Sequence, residues 1–328
     1  MIFLKKKFKL FDMTKPGKGI SKQQVLKEES TDIFGYFRMF KNRFWNISSL
    51  NMIYVLVNFP LFFGLISLSG AFRIETTTPA SIFYPNLLGM TQYGITPYLS
   101  TLIPVLNMDT TISVPTLTSN IFAWLTLLLV FTNGISNIGA SYVLRGYIRS
   151  EPVFILSDFF GAIKKNFRQG FILGILDFIF LFMLGYGTYL YFLNSYYFGI
   201  SVMLCAELFI FIIYLTMRFY MYLLAITFDL SIVKIIKNSF IFAMVGFKMN
   251  FFSWLGVAAI IFVNLFVFIS IPVFGVILPF ILTFSTLMFT TAFNSYQVIK
   301  KYMITPYYKD ETNEKITPVD DPIFIDRG

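Results

Sequence analysis

The sequence predicts an all-α membrane protein: six transmembrane helices arranged as three hairpins, each preceded by a cytoplasmic amphipathic helix. Three observations carry this. Apolar residues make up 56% of the 328 residues and charged residues only 13%, and mean hydropathy is +0.71, more apolar surface than a soluble core of this size hides. The apolar residues come in blocks of about 20, the length that crosses a bilayer. The basic residues are sorted between loops: of 26 Lys and Arg, Arg73 alone falls in a proposed outer loop and Arg218 lies within a span. Every other one falls on the proposed inner side, so both termini are expected in the cytoplasm.

Other compositional facts narrow the chemistry. The 42 Phe and 19 Tyr suit lipid contact and interfacial belts. A net charge of +9 spread over several loops follows from topology, and no nucleic-acid partner is expected. One cysteine and no histidine rule out an intramolecular disulfide, a Cys/His zinc site and a histidine-based catalytic triad. No catalytic residue, metal or cofactor is expected, and Cys205 reads as a small packing residue.

In chain order, residues 1–43 form a basic cytoplasmic segment, from Lys5, Lys6 and Lys7 to Arg38, Lys41 and Arg43. Met1 to Leu4 is too short an apolar core for a cleaved signal peptide, so none is expected. Ser30-Thr31-Asp32 is placed to cap an interfacial helix from Ile33 to Phe44. The membrane domain then covers residues 44–300, with spans at about 45–68, 119–144, 171–193, 197–225, 251–272 and 274–296. Asn58 and Pro60 interrupt the first span, and neighbouring helices are expected to satisfy them. Residues 70–118, rich in Thr, Ser, Pro and Asn, form an outer loop. Its aromatics Phe83, Tyr84, Tyr93 and Tyr98 read as packing or membrane contact, with a ligand site as the alternative. Residues 301–328 form a polar cytoplasmic tail, expected to be disordered.

A short motif recurs before each hairpin. It reads DIFGYFRMFKNRF from Asp32, DFFGAIKKNF from Asp158 and DLSIVKIIKNSF from Asp229. In each, Asp suits a helix N-terminus, Lys reaches lipid phosphate, and Asn helps turn the chain into the next span. The second copy, with Ser157 or Asp158 starting the helix and Lys164, Lys165, Asn166 and Arg168 at its end, reads as a docking or interfacial helix. Internal duplication and convergence on a common interfacial pattern both account for the recurrence.

Charges inside spans are costly and call for partners. Folding the third and fourth spans about Asn194-Ser195 sets Asp177 and Arg218 at similar depth, so a buried ion pair is expected. Glu207, eleven residues before Arg218 on nearly the same face, lies near mid-bilayer and is expected to bond a neighbouring helix. Asn133 and Asn137, at i and i+4 in the second span, suit interhelical hydrogen bonds. These five residues read either as structural staples or as a polar passage for a proton or solute.

Three stretches resemble the YesL-like family of bacterial integral membrane proteins, built around a domain of unknown function. They are Phe37 to Pro60, Gly139-Ala140-Ser141-Tyr142-Val143-Leu144-Arg145-Gly146 continuing through Ser157-Asp158-Phe159-Phe160 to Gly170, and Leu223 to Asn238. The long outer segment departs from the family pattern. The resemblance, over about residues 35 to 300, implies a multi-pass protein of the bacterial plasma membrane, often encoded beside carbohydrate uptake and degradation systems. It carries no established site residues.

The expected function is a non-enzymatic accessory or regulatory subunit of a membrane complex linked to carbohydrate uptake. The lipid bilayer and a membrane-protein partner, with sugar ABC importer components the leading candidates, are the expected contacts. The chain carries no P-loop of its own and no Glu-Ala-Ala…Gly loop of an importer permease. The alternative is a transporter or channel with a polar intramembrane pathway.

Overall fold

A computed structural model describes residues 32–79 and 109–306. The expectations for the N-terminal lysines, the four loop aromatics and the tail beyond residue 306 fall outside these residues.

The first two-helix segment shows how the chain turns onto the membrane. Helix α1 (Ile33–Asn42) ends at Arg43, whose N–H still bonds the Met39 carbonyl at 3.0 Å, and α2 (Phe44–Val57) starts at the next residue. The same corner recurs twice. Helix α6 (Ile155–Lys165) turns at Asn166 into α7 (Phe167–Leu193), and α9 (Ile232–Val245) turns at Gly246 into α10 (Phe247–Ser270). In every case the corner residue donates its N–H to the helix before it. Its carbonyl accepts the first bond of the helix after it, from Ile47, Gly170 and Asn250 respectively. One residue thus serves as C-cap and N-cap together, and a Phe follows each time.

The motif's Asp residues do not play one role. Asp32 occupies the N-cap position of α1 without a side-chain cap bond. Helix α6 begins three residues earlier than expected, with Phe154 at its N-cap, and Asp158 in the first turn reaches back to the Phe154 N–H at 2.7 Å. Asp229 precedes α9 entirely, with Ser231 at the N-cap. The third Lys-Asn pair is out of register as well: Lys237-Asn238 lies in the middle of α9, and the corner falls at Gly246. A glycine takes the place of a capping amide there, so the sequence pattern alone aligned the wrong residue.

The expected first span is broken. Helix α2 ends at Val57 and α3 (Pro60–Leu68) leaves at an angle of 73°, because Pro60 has no N–H to continue the ladder. Strands β1 (Arg73–Pro79) and β2 (Asp109–Pro115) then pair antiparallel, Arg73 opposite Pro115, so the ends of the expected loop form a ribbon. Thr116 closes it: its hydroxyl donates to the Phe72 carbonyl at 2.6 Å and caps α4 (Leu117–Thr126). Helix α4 continues with a slight break into α5 (Leu129–Ile148).

Helix α8 (Phe198–Thr227) returns alongside α7, and α11 (Pro272–Leu278) follows α10 after one residue. This turn is tight because Gly275 lies against Phe268: a Cβ at Gly275 would sit 2.2 Å from the Phe268 Cα. The last helix continues through a π segment (Pro279–Thr283), α12 (Phe284–Ile299) and a second π segment (Lys300–Ile304). It therefore runs past Lys300-Lys301, where the membrane domain was expected to end. Among the described residues five helices are long and apolar enough to cross a membrane, or six if α2 and α3 make one bent span. This is a multi-pass, membrane-embedded helical protein.

Helices α5 and α12 form the centre, with α2, α7, α8 and α10 around them. Helices α5 and α7 approach each other closely. A Cβ on Gly134 would lie 2.3 Å from the Gly170 carbonyl oxygen and 2.4 Å from the Gly174 Cα, so the two backbones touch as small residues in membrane helices permit. Helix α1 is docked by Tyr36, whose hydroxyl meets the Thr290 hydroxyl at 2.8 Å while its ring packs on Phe289 and Phe293. Burial pushes the Tyr36 hydroxyl up from its ordinary pKa, with the Thr290 bond pulling the other way. Cys205, expected to pack inside, is exposed on α8.

Gly134→Ala should force α5 and α7 apart and cost about 1–3 kcal/mol, as overpacking does. Thermal unfolding in detergent should show a clearly lowered midpoint, whereas Gly185→Ala, with open space around it, should not.

Candidate functional site

The polar core is built on one face of α8. Tyr214, Arg218 and Tyr222 follow at i, i+4 and i+8, which stacks them along one side of the helix. Opposite them on α7 stands Asp177, 0% exposed, with Oδ1 2.8 Å from the Arg218 Nε. The Nε–H is not aligned for a hydrogen bond, so this is a charge contact, and the aligned bonds come from the tyrosines. Tyr214 donates to Oδ1 at 2.7 Å and Tyr222 to Oδ2 at 3.1 Å. Both carboxylate oxygens are therefore occupied. A buried carboxylate needs such saturation, because desolvation otherwise outweighs the attraction of a single counter-charge.

The pair connects to an amide chain on α5 and α2. Tyr222 and Asn137 line the same cavity. The Asn137 Nδ2 donates to the Asn133 Oδ1 at 3.3 Å, and the Tyr54 hydroxyl donates to the Asn137 Oδ1 at 3.0 Å. Asn58, at the break between α2 and α3, donates to the Tyr54 carbonyl at 3.0 Å and to the Ser136 hydroxyl at 2.7 Å, and accepts from Thr132 at 3.2 Å. The residue that ends α2 is thus satisfied by side chains of α5.

Asp177, Arg218, Asn133 and Asn137 come together in one network, and Glu207 does not. Glu207 sits beside Gly187, with its Oε1 2.9 Å from where a Cβ would be. Among the described residues it makes no hydrogen bond or ion pair. Nor do any three His, Cys, Asp or Glu side chains gather in the described residues as a metal ion would require. Beside the pair lies a cavity of about 360 Å³ between α5, α8, α10 and α12. Arg218, with 29% of its side chain exposed, borders it.

The second amphipathic helix forms a separate surface. Its Phe159 ring is fully buried on Gly139, where a Cβ would approach the ring at 2.8 Å. That contact turns Lys164, Lys165 and Arg168 outward, all exposed, while Asn166 sits at the corner and donates to the Ala162 carbonyl at 3.1 Å. Two further links tie this region to α8 and to the segment that follows it. The Arg145 guanidinium donates to the Ile226 carbonyl at 2.6 Å, and Gln169 donates to the Leu230 carbonyl at 2.7 Å.

Part of the site lies in a segment that matches a family model. Residues 116–188 match the family described as protein of unknown function, DUF624. The match agrees with the resemblance to YesL-like membrane proteins and covers α4, α5, α6 and most of α7. The DUF624 segment holds Asn133, Asn137, Asp158, the basic end of α6 and Asp177, whereas Arg218 and both tyrosines that bind Asp177 lie beyond it. No curated protein and no solved structure matches the chain.

The sequence reading missed the tyrosines and Asn51. Tyr214 and Tyr222 were signalled by their four-residue spacing about Arg218. Asn51, fully buried on α2, donates to the Pro279 and Phe280 carbonyls at 3.0 and 2.7 Å and accepts from the Ser285 N–H at 2.8 Å. It fills the gap that the π segment opens in the last helix, a role no local signal announces.

Asp177→Asn should leave the guanidinium without its counter-charge and cost about 3–5 kcal/mol, whereas the double variant Asp177→Leu, Arg218→Met should recover most of that loss. Thermal unfolding of the singles and the double in detergent checks this; a double variant no better than the worse single would remove the pairing from the account.

Proposed function

We propose that this protein is a non-enzymatic accessory or regulatory subunit of a complex in the bacterial plasma membrane, linked to carbohydrate uptake. In this reading it crosses the bilayer as three helical hairpins with both termini in the cytoplasm. The observation that supports it is the saturation of Asp177. A carboxylate that carries a proton or ion through a transport cycle must exchange partners, and this one is enclosed by Arg218, Tyr214 and Tyr222. Its chemistry is that of a fixed staple between α7 and α8.

The surface that suits a partner is α6. Its apolar side is seated on the bundle through Phe159, which leaves Lys164 and Lys165, with Arg168 in the first turn of α7, exposed. Basic residues at this position suit lipid phosphates or an acidic partner surface. The orientation rests on the sorting of Lys and Arg, and the carbohydrate link on the family resemblance alone.

A second reading, a transporter or channel, draws on one observation. Hydrogen bonds link Asn58 through Tyr54 to Asn133 and Asn137, and Asn137 lines the cavity that Arg218 also borders.

Isolation in mild detergent should retain a stoichiometric membrane partner, which the triple variant Lys164→Glu, Lys165→Glu, Arg168→Glu should lose while remaining monodisperse. Solute flux by the purified protein alone would overturn the accessory reading in favour of the transporter. For orientation, single cysteines at Ser157 and Ser195 in a Cys205→Ala background should label from inside and outside respectively, and the reverse pattern would sink the topology.

A further inference from the structure

The Arg218 side chain is only partly enclosed. Its Nε faces Asp177 without an aligned hydrogen bond, and 29% of the side chain stays exposed where the residue borders a cavity. The cavity has a volume of about 360 Å³, within the size range of small-ligand pockets. Asn137, Ser141 and Thr291 supply polar groups on its walls, and Trp254, Val257 and Leu287 are part of a predominantly apolar remainder. Ile261, also in the lining, is 46% exposed on the outer face of α10. The cavity therefore joins a polar end at Arg218 to the lipid side of the bundle.

Two physical constraints select the occupant. Ordered water needs two to four polar partners per molecule, and walls this apolar offer too few to fill the space. Charge decides the rest. Asp177 already cancels the charge of Arg218, so a second anion would leave a net negative charge in a low-dielectric site. The terminal N–H groups need acceptors without charge. We propose that the cavity binds a neutral amphiphile of monoacylglycerol type, its ester and hydroxyl oxygens on the Arg218 terminal nitrogens and its alkyl chain leaving past Ile261. This site goes beyond the accessory reading and does not depend on it.

Trp254 gives the readout, since its indole lines the cavity and is held by a 2.9 Å bond from Nε1 to the Thr216 hydroxyl. With Trp45→Phe and Trp124→Phe it becomes the sole tryptophan of the full chain. A monoacylglycerol brominated near the start of its chain should quench it saturably in detergent. A bromoalkyl sulfate of equal length, permanently anionic, should quench about tenfold more weakly, a difference of about 1.4 kcal/mol. Thr291→Leu, which narrows the cavity, removes one of its polar groups and leaves the ion pair intact, should weaken the saturable part at least several-fold. Val257→Phe narrows it from the opposite wall should Thr291→Leu fail to fold. Equal quenching by the two head groups, stronger quenching by the sulfate, absence of saturable quenching, or quenching unchanged in the narrowed variant would each overturn the proposal.

Discussion

A carboxylate buried between apolar helices must be fully engaged or it works against the fold, and Asp177 sets the terms for the structure around it. Its two oxygens take the charge of Arg218 and the hydroxyls of Tyr214 and Tyr222, which fixes the relative depth of α7 and α8. Tyr222 lines one cavity with Asn137 of α5, and Tyr54 brings in α2. Four helices are registered against one another by a single acid and the donors it needs. Apolar packing alone would leave that register loose, because lipid offers the same apolar contacts as a neighbouring helix.

The three helix-to-span corners solve a related problem at the membrane surface. A chain that changes direction normally leaves backbone groups unpaired at both helix ends. Here one residue serves both ends, so the turn is short and the following helix starts at once. Carbonyls still exposed by the turn are met locally. Asn166 bonds Ala162 at the second corner, and Asn250 bonds Phe242 and Ala243 at the third while accepting from Tyr220. The recurring Phe and amide thus reflect a shared backbone geometry, whichever exact residue supplies the amide.

Much of this was legible in the sequence because membrane constraints act locally. Length and apolarity marked the long helices, and the equal depth of Asp177 and Arg218 about the Asn194 turn pointed to their pairing. The failures have physical reasons too. Pro60 was read as tolerated within one span, yet the side chains that satisfy Asn58 come from α5, far away in sequence, and they stabilise a break instead of a straight helix. Asn51 looks like any interfacial amide until the π segment that it bridges, some 230 residues on, is in view. Glu207 was grouped with Arg218 by periodicity, but three turns of separation put it beside Gly187. The third corner was misplaced because it falls at Gly246, where the Tyr220 hydroxyl and the Phe242 carbonyl leave no room for a Cβ, and the amide that serves it comes from Asn250, four residues on.

The 73° break between α2 and α3 also bears on the bilayer itself. Helix α2 has 14 residues, a rise of about 21 Å, against a hydrocarbon thickness of about 30 Å. With α3 turned well away from the axis of α2, this side of the protein presents a short apolar height to the lipids. The adjoining leaflets must thin, or their head groups must dip toward Asn58, and either response costs a fraction of a kcal/mol for each ångström of mismatch. The flank formed by the 27-residue α7 and the 30-residue α8 asks for no such thinning. A bilayer that followed these helix lengths would be thinner beside α2 than beside α7 and α8, and neighbouring proteins of different span length would then sort to one flank in preference to the other.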